Sequence, residues 1–389
     1  MSKLKNRFAE IFSGPMQDVR FFHAPGRINI IGEHIDYNGG YVLPCALNIG
    51  THALVRKNGD GTARFASLNF DDVIEITLND VAYNPKHNWA NYPMGVLAMM
   101  QADGHNFSGF DVLFSGNIPN GAGLSSSASI EMVMAVALNN VFGLGYQKID
   151  LVQLAQRAEN QFNGVNCGIM DQFAVGMARK NNALHLNCDT LEYKHVPMRI
   201  DGYKIVIMNT NKRRQLNESK YNERRLECDA ALTSLSIVEN INQLANISQE
   251  TFEANKHLIK SEAVRKRTKH VISENLRVKQ AVEALEAGNI SILGELLNQS
   301  HVSLRDDYEV SCFELDTIVS LAAANPTCVG ARMTGAGFGG CAIALVDESA
   351  SADFMAFVAA EYEKIVGYAP SMYLCESGDG ARELEECND

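Results

Sequence analysis

The sequence contains no apolar run of about 18 residues, the length a helix needs to cross a bilayer. It has no CxxC pair and no HExxH. Its nine cysteines and ten histidines are dispersed, so a structural zinc site is not expected. Met1 to Gly14 carries basic residues but lacks the apolar core of a secretory signal. An odd cysteine count without such a signal reads as reduced thiols in the cytoplasm. Positive charge is also short: 34 Lys and Arg face 46 Asp and Glu, a net charge of −12. That balance argues against a general binder of nucleic acid or anionic membranes. The basic stretch Lys212 to Arg225 accordingly reads as a solvated helix face. Repeats and low-complexity stretches are absent.

What is present is an ordinary globular composition, with 46% hydrophobic and 21% charged residues. At about 150 residues per domain, 389 residues suggest two domains. Residues 20–80 read mainly as strands, with Leu47, Ile49, Thr51, Ala53 and Val55 alternating. A helix is predicted from Trp89 to Ala102 and a strand from Phe110 to Phe114. After a Pro/Gly loop from Asn117 to Gly123, a helix should bury Ile130, Val133, Met134, Ala137, Leu138 and Val141, ending at Gly143 and Gly145. Another helix covers about 148–162, and a short one starts at Ile169. Strands follow near 183–188, 191–196 and 203–209. From about 215 to 325 the pattern is helical. Strands near 329–333 and 341–346 flank a glycine loop, and a helix near 350–366 precedes a final strand near 371–375. The change from strand-rich to helix-rich sequence places a domain boundary near 205, giving 1–205 and 206–389.

Three glycine-rich segments carry the chemistry. Ala24 to Pro44 packs Arg27, Glu33, His34, Asp36 and Asn38 between strand-like flanks. Carboxylates and an imidazole suit the hydroxyls of a polyol, and Arg suits a phosphoryl group or carboxylate; a polar hairpin with turn glycines is the plain alternative. Pro119 to Ser129 feeds the amphipathic helix. Its glycines permit close approach of an anion, and the first turn offers unpaired N–H groups. It lacks the P-loop lysine, and a serine helix cap would explain it equally. Met333 to Cys341 has four glycines within six residues, a site or a tight hairpin. Between them, Asp171 opens a short helix, where it is a cap or a functional carboxylate, and Glu159 lies twelve residues earlier.

Together these segments resemble the galactokinase branch of the GHMP small-molecule kinases. Gly26 to Pro44 is similar to its signature, Gly123 to Ser129 to the shared ATP motif, and Met333 to Cys341 to the third motif. Glu159 to Gln172 resembles the segment with the family's catalytic Asp. The motifs occur in family order, and the similarity spans nearly the whole chain. The resemblance implies an α/β (α+β) GHMP kinase fold of two domains, the first S5-like and the second ferredoxin-like, with the site in the cleft between them. It implies ATP-dependent phosphorylation of the anomeric hydroxyl of D-galactose, with Mg²⁺. The sequence leaves the oligomeric state open, a monomer being the expectation, and the charge balance leaves no nucleic-acid or membrane partner expected.

By position, the resemblance gives Glu33, His34, Ile35, Asp36, Gly168 and Tyr221 to the sugar. Asp171 faces the C1 hydroxyl, with Arg27 beside it. Gly121, Ala122, Gly123, Leu124, Ser125, Ser126 and Ser127 wrap the phosphates. Glu159 with Ser126 or Ser127 holds Mg²⁺, and Ser67 and Trp89 lie near the nucleotide. Arg27 would keep Asp171 ionised and weaken it as a base. Two positions depart from the pattern. Ile35 stands where galactokinases usually have Thr and N-acetylgalactosamine kinases often have Ile. Ala336 replaces a usual Gly, and would cost about 1 kcal/mol if that position requires φ > 0. The rival readings are an N-acetylgalactosamine or mevalonate kinase, and a sensor that binds ATP and galactose without catalysis. The run 33–38 argues against mevalonate. Ser125 to Ala128 and Asp171 argue against the sensor.

Overall fold

The structure, a computed structural model, describes residues 2–119, 121–212, 217–238 and 240–385. Met1, Asn120 and part of the basic stretch, Arg213 and Arg214, lie outside the described residues. In chain order the strands are β1 (Arg20–Asn29), β2 (Tyr41–Val42), β3 (Pro44–Lys57), β4 (Thr62–Ser67), β5 (Phe70–Thr77), β6 (Phe110–Gly116), β7 (Asn182–Asn187), β8 (Tyr193–Pro197), β9 (Tyr203–Asn209), β10 (Cys328–Thr334), β11 (Cys341–Asp347), β12 (Ser371–Leu374) and β13 (Arg382–Leu384). The helices are α1 (Ser2–Ile11), α2 (Asn91–Ala102), α3 (Ser126–Phe142), α4 (Lys148–Arg157), α5 (Met170–Met177), α6 (Asn217–Leu235), α7 (Gln249–Asn255), α8 (Glu262–Ala287), α9 (Ile290–Asp306), α10 (Phe313–Ala324) and α11 (Ser351–Val366).

A six-stranded sheet runs β13-β1-β3-β6-β4-β5, with β4 and β6 parallel and its other pairs antiparallel. The alternation in β3 has the physical consequence expected of it. Leu47, Ala53 and Val55 enter the main core, while Leu54 faces a small second core with Phe8 of α1 and Phe12 just after it. The sheet is therefore covered on both faces. α3 packs against β1 and β3 and is buried almost all round, including Glu131 and Ser129. Ile130 and Val141, read as part of its inner face, are only half-buried. Gly143 ends it at φ 65°.

The second half builds a four-stranded antiparallel sheet, β10-β11-β9-β12, and a small sheet of β2, β7 and β8 lies in the first half. α8 and α9 pack on each other, and α9 packs on β10. Two expectations need correction. The helix read as 148–162 stops being α-helical at Arg157 and continues as a π-turn, Ala158–Phe162. The strand near 371–375 is not the last: β13 returns to the first sheet and pairs with β1, Phe22 opposite Glu383. A three-residue strand has too few positions to display a period. No helix among the described residues is long and apolar enough to cross a membrane.

Candidate active site

The site forms where β1, the turn after it, the N-terminus of α3 and the N-terminus of α5 meet. Arg27 is buried on β1, and its guanidinium grips Asp171 at the start of α5 with two hydrogen bonds, Nε to Oδ1 at 2.7 Å and Nη2 to Oδ2 at 2.8 Å. The third arm, Nη1, donates to the Gly123 carbonyl at 2.7 Å. A planar fork fixed on three sides holds the carboxylate in one orientation. Ser125 Oγ donates to Asp171 Oδ2 at 2.5 Å. Ser125 adopts φ 60°, ψ 52° and makes no side-chain cap to α3. The helix-cap reading of this serine is thus replaced by a contact to Asp171.

The turn from Gly32 to Asn38 forms the opposite wall. Glu33 is buried, and its Oε1 accepts from the Gly335 N–H at 2.7 Å and from Thr334 Oγ1 at 2.9 Å. His34 has φ 61°. Its Nδ1 lies 2.8 Å from the Tyr37 hydroxyl and its Nε2 3.1 Å from the Ala336 carbonyl. Since a carbonyl only accepts, Nε2 carries the hydrogen and Nδ1 accepts from Tyr37. Burial, with the neighbouring His270, pushes the His34 pKa down to about 3, so the ring is neutral. Both its nitrogens are occupied by protein groups. Asp36 is half-buried, and burial together with Asp171 pushes its carboxyl up to about 7. Gly168 fits because it lacks a side chain: a Cβ there would fall 2.1 Å from Asp36 Oδ2. Tyr221 on α6 packs edge-on against Tyr37, ring centroids 5.4 Å apart.

Glu159 sits on the π-turn, buried, with its carboxylate bonded to Gln172 Nε2 and to the Ser127 hydroxyl. Burial raises its pKa, and so does the Asp171 charge. Behind it Glu131 shares the Gln172 amide and is also raised, chiefly by burial. Glu159 and Ser127 line one cavity of about 310 Å³, with Arg27, Glu33, Asp36, Gly121, Gly123, Asp171 and Tyr221. An adjoining cavity of about 160 Å³ shares Ser126 and Ser127 and holds Ser67 and Trp89. There Trp89 stacks on Phe70 at 5.7 Å and 10°, a flat apolar slot suited to an aromatic base. A larger cavity of about 630 Å³ opens between Asn48, Lys204 and Glu376. There Lys204 pairs with Glu348 at 3.1 Å.

Three residues expected at the site are placed elsewhere. Ile35 is fully buried and packs on Gly40, and Ala122 and Leu124 turn into the core; none of them lines the cavity. Apolar side chains in a glycine-rich loop are pulled inward, while the backbone between them stays at the cleft. Ala336 carries no strain, since the left-handed residues of its loop are Gly335, Gly337, Phe338, Gly339 and Gly340.

This architecture has close counterparts. The galactokinase galactose-binding signature matches residues 6–57, the N-terminal domain of GHMP kinases residues 91–179, and the C-terminal domain of GHMP kinases residues 281–364. A galactokinase of Clostridium beijerinckii is 50% identical, covering 98% of both chains. The chain belongs to the galactokinase family. Another relative, the Bacillus subtilis galactokinase, is 48% identical over 98% of this chain and 99% of its own. The crystal structure of Lactococcus lactis galactokinase complexed with galactose superposes with a TM-score of 0.96 at 47% identity, covering 98% of this chain and 99% of that one. A mevalonate kinase shares the fold, with a TM-score of 0.65 at 18% identity.

In this galactokinase-family chain the cavity also takes in Tyr37, Cys167, Met170 and Asn222, to which the motifs alone assign no role. Tyr37 lies inside the signature and could have been found from its place between Asp36 and Asn38. Asn222 carries no sequence signal beyond its neighbour Tyr221.

Proposed function

We propose that this galactokinase-family enzyme transfers the γ-phosphoryl group of ATP to the anomeric hydroxyl of D-galactose, giving galactose 1-phosphate and ADP. The observation that carries the reading is the Arg27–Asp171–Ser125 cluster, which joins the hydroxyl-binding wall to the N-terminus of α3. On this reading Glu33, Asp36 and Tyr221 meet the sugar hydroxyls, and His34 shapes the wall. The α3 N-terminus and Gly121 to Ser127 face the phosphates. Trp89 and Ser67 flank the base. Asp171 already accepts hydrogen bonds from Arg27 and Ser125, so its remaining capacity serves to orient the C1 hydroxyl. That oxygen forms a bond to phosphorus as the bond to the ADP oxygen breaks, and its proton passes to the Asp171 carboxylate late in a loose transition state. Arg27 stands beside the transferring group.

The cavity lining suits Mg²⁺. Four carboxylates, Glu33, Asp36, Glu159 and Asp171, face one guanidinium, Arg27, a balance that would repel a bare nucleotide. Glu159 and Ser127 offer the hard oxygen ligands that Mg²⁺ takes. Of the two candidate serines, Ser127 is favoured by its bond to Glu159. Bound there, the ion would neutralise phosphate charge.

The division near residue 205 belongs to the same reading. The four-stranded sheet, whose strands all lie between 203 and 374, supports a division just before Tyr203, since one at 205 would cut β9; β13 is the exception that returns to the first sheet. A cytoplasmic monomer fits a cleft lined by residues of one chain and the absence of any disulfide among the described residues.

The reading is tested by ³¹P NMR with Mg²⁺-ATP and, in parallel, galactose, N-acetylgalactosamine, glucose and mevalonate. A sugar 1-phosphate signal is expected with galactose. N-acetylgalactosamine should not be preferred, because Ile35 points away from the cavity. Asp171→Asn should abolish the signal while calorimetry still records galactose binding. Product from that variant at the normal rate would refute the assignment of Asp171.

A further inference from the structure

Arg332 on β10 is a puzzle of burial. It is completely buried, it does not line the cavity, and its Nε and Nη2 have no hydrogen-bond partner. Only Nη1 is satisfied, by the carbonyls of Asn29 at 3.0 Å and Ile30 at 2.9 Å. Leaving guanidinium donors unpaired in the interior is costly. The compensating charge is Glu33, whose Oε1 lies 3.4 Å from Nη2.

Glu33 is therefore held asymmetrically. Oε1 takes the Gly335 N–H, the Thr334 hydroxyl and the Arg332 charge, all from β10 and the glycine loop after it. The Thr334 hydroxyl has one proton and two acceptors in reach, the Asn29 carbonyl at 3.1 Å and Glu33 at 2.9 Å. The shorter, charged acceptor takes it. The backbone around Glu33 hangs from the second half as well. Gly32 N–H donates to Glu274 at 3.0 Å, and His270 Nε2 donates to the Glu33 carbonyl at 3.0 Å. The turn that forms the sugar wall is thus fixed from outside its own sheet.

We propose that Thr334 and Arg332 are positioning residues for Glu33: they immobilise one carboxylate oxygen so that the other is presented to the sugar. Neither touches the cavity, so both act through Glu33. The inference rests on the proposed sugar role of Glu33. It gives the third glycine motif a task at the sugar site, distinct from contact with phosphate.

The test is steady-state kinetics with galactose and ATP varied separately, together with thermal melts, on the full chain. Glu33→Gln is the reference and should raise the galactose KM at least tenfold. Thr334→Val should raise the galactose KM about tenfold, the effect of losing one hydrogen bond to a charged group. It should leave kcat within threefold and the ATP KM within twofold. Thr334→Ser keeps the hydroxyl and should restore the galactose KM to within twofold of wild type. Arg332→Lys keeps the charge and should fall between. A purely structural role would lower the melting temperature and move both KM values together, which would overturn the proposal. So would a folded Thr334→Val with an unchanged galactose KM. If Arg332→Lys does not fold, the two Thr334 variants still decide. Failure of wild type to use galactose, or of Glu33→Gln to change its KM, would instead overturn the underlying reading.

Discussion

At the scale of single residues, the site is governed by how few positive charges meet how many carboxylates. Asp36 shows the consequence. Its carboxyl sits at about 7 because it is buried beside Asp171 and Glu33. The folded chain therefore keeps a proton here that the unfolded chain has already lost. This contribution to stability is present at low pH and disappears as pH rises from the ordinary carboxyl range toward 7. Ligand binding runs the other way. A carboxylate accepts more sugar hydroxyls than the acid does, so galactose should draw Asp36 into its ionised form. The galactose KM should fall several-fold between pH 6 and 8, and Asp36→Asn should bind weakly with a flat profile. The nearby imidazoles contribute nothing in this range, since His34 sits at about 3 and His270 at about 4. A flat wild-type KM across this range would mean that the neutral acid serves the sugar equally well.

At the scale of elements, the N-terminus of α3 separates packing from chemistry. Ser125 takes the left-handed conformation without capping the helix, and spends its hydroxyl on Asp171. Ser125→Ala should leave the melting temperature within about 2 °C, since no cap is lost. It should lower kcat about tenfold or more, read from initial rates of ADP formation. A large loss of stability with unchanged kcat would return Ser125 to the role of a cap. This element also marks what sequence can and cannot tell. The run from Gly121 to Ser127 announces an anion site through its composition, and β3 and α3 announce themselves through period. Periodicity says nothing of the π-turn that aims Glu159, because five residues at the end of a helix are too few to display a period of their own. It does not report that Ile35 faces Gly40, because an apolar residue among polar ones is consistent with either face. Motif matching carries residues by position and is blind to direction, so it groups Ala122, Leu124 and Ile35 with the residues that line the cavity.

At the scale of the whole molecule, the elements that carry Arg27 and Asp171 share one brace that the sequence pattern does not display. β1 carries Arg27 and α5 carries Asp171. The segment from Gly378 to Leu384 touches both. Gly380 N–H donates to the Ala178 carbonyl and Ala381 N–H to the Val175 carbonyl, at the end of α5. Directly after Ala381, β13 pairs with β1 from Phe21 to His23. Arg20 and Glu383 lock the edge with two hydrogen bonds, Nε to Oε1 at 2.6 Å and Nη2 to Oε2 at 2.5 Å. This pair is about one-third exposed on each side, so its own contribution is small. The ladder and the buried Ala381 carry more of the weight. Removing residues from 379 onward would strip these bonds and leave β1 as an open edge. The expected cost is about 3 kcal/mol or more, read as a shift of the urea midpoint at constant slope. Because the brace spans the elements that set the Arg27–Asp171 distance, kcat should fall in the fraction that remains folded. Arg20→Ala should move the midpoint only slightly and leave kcat unchanged. A truncated chain with normal kcat would mean that the Arg27–Asp171 pair holds its own geometry, and that the terminal segment serves stability alone.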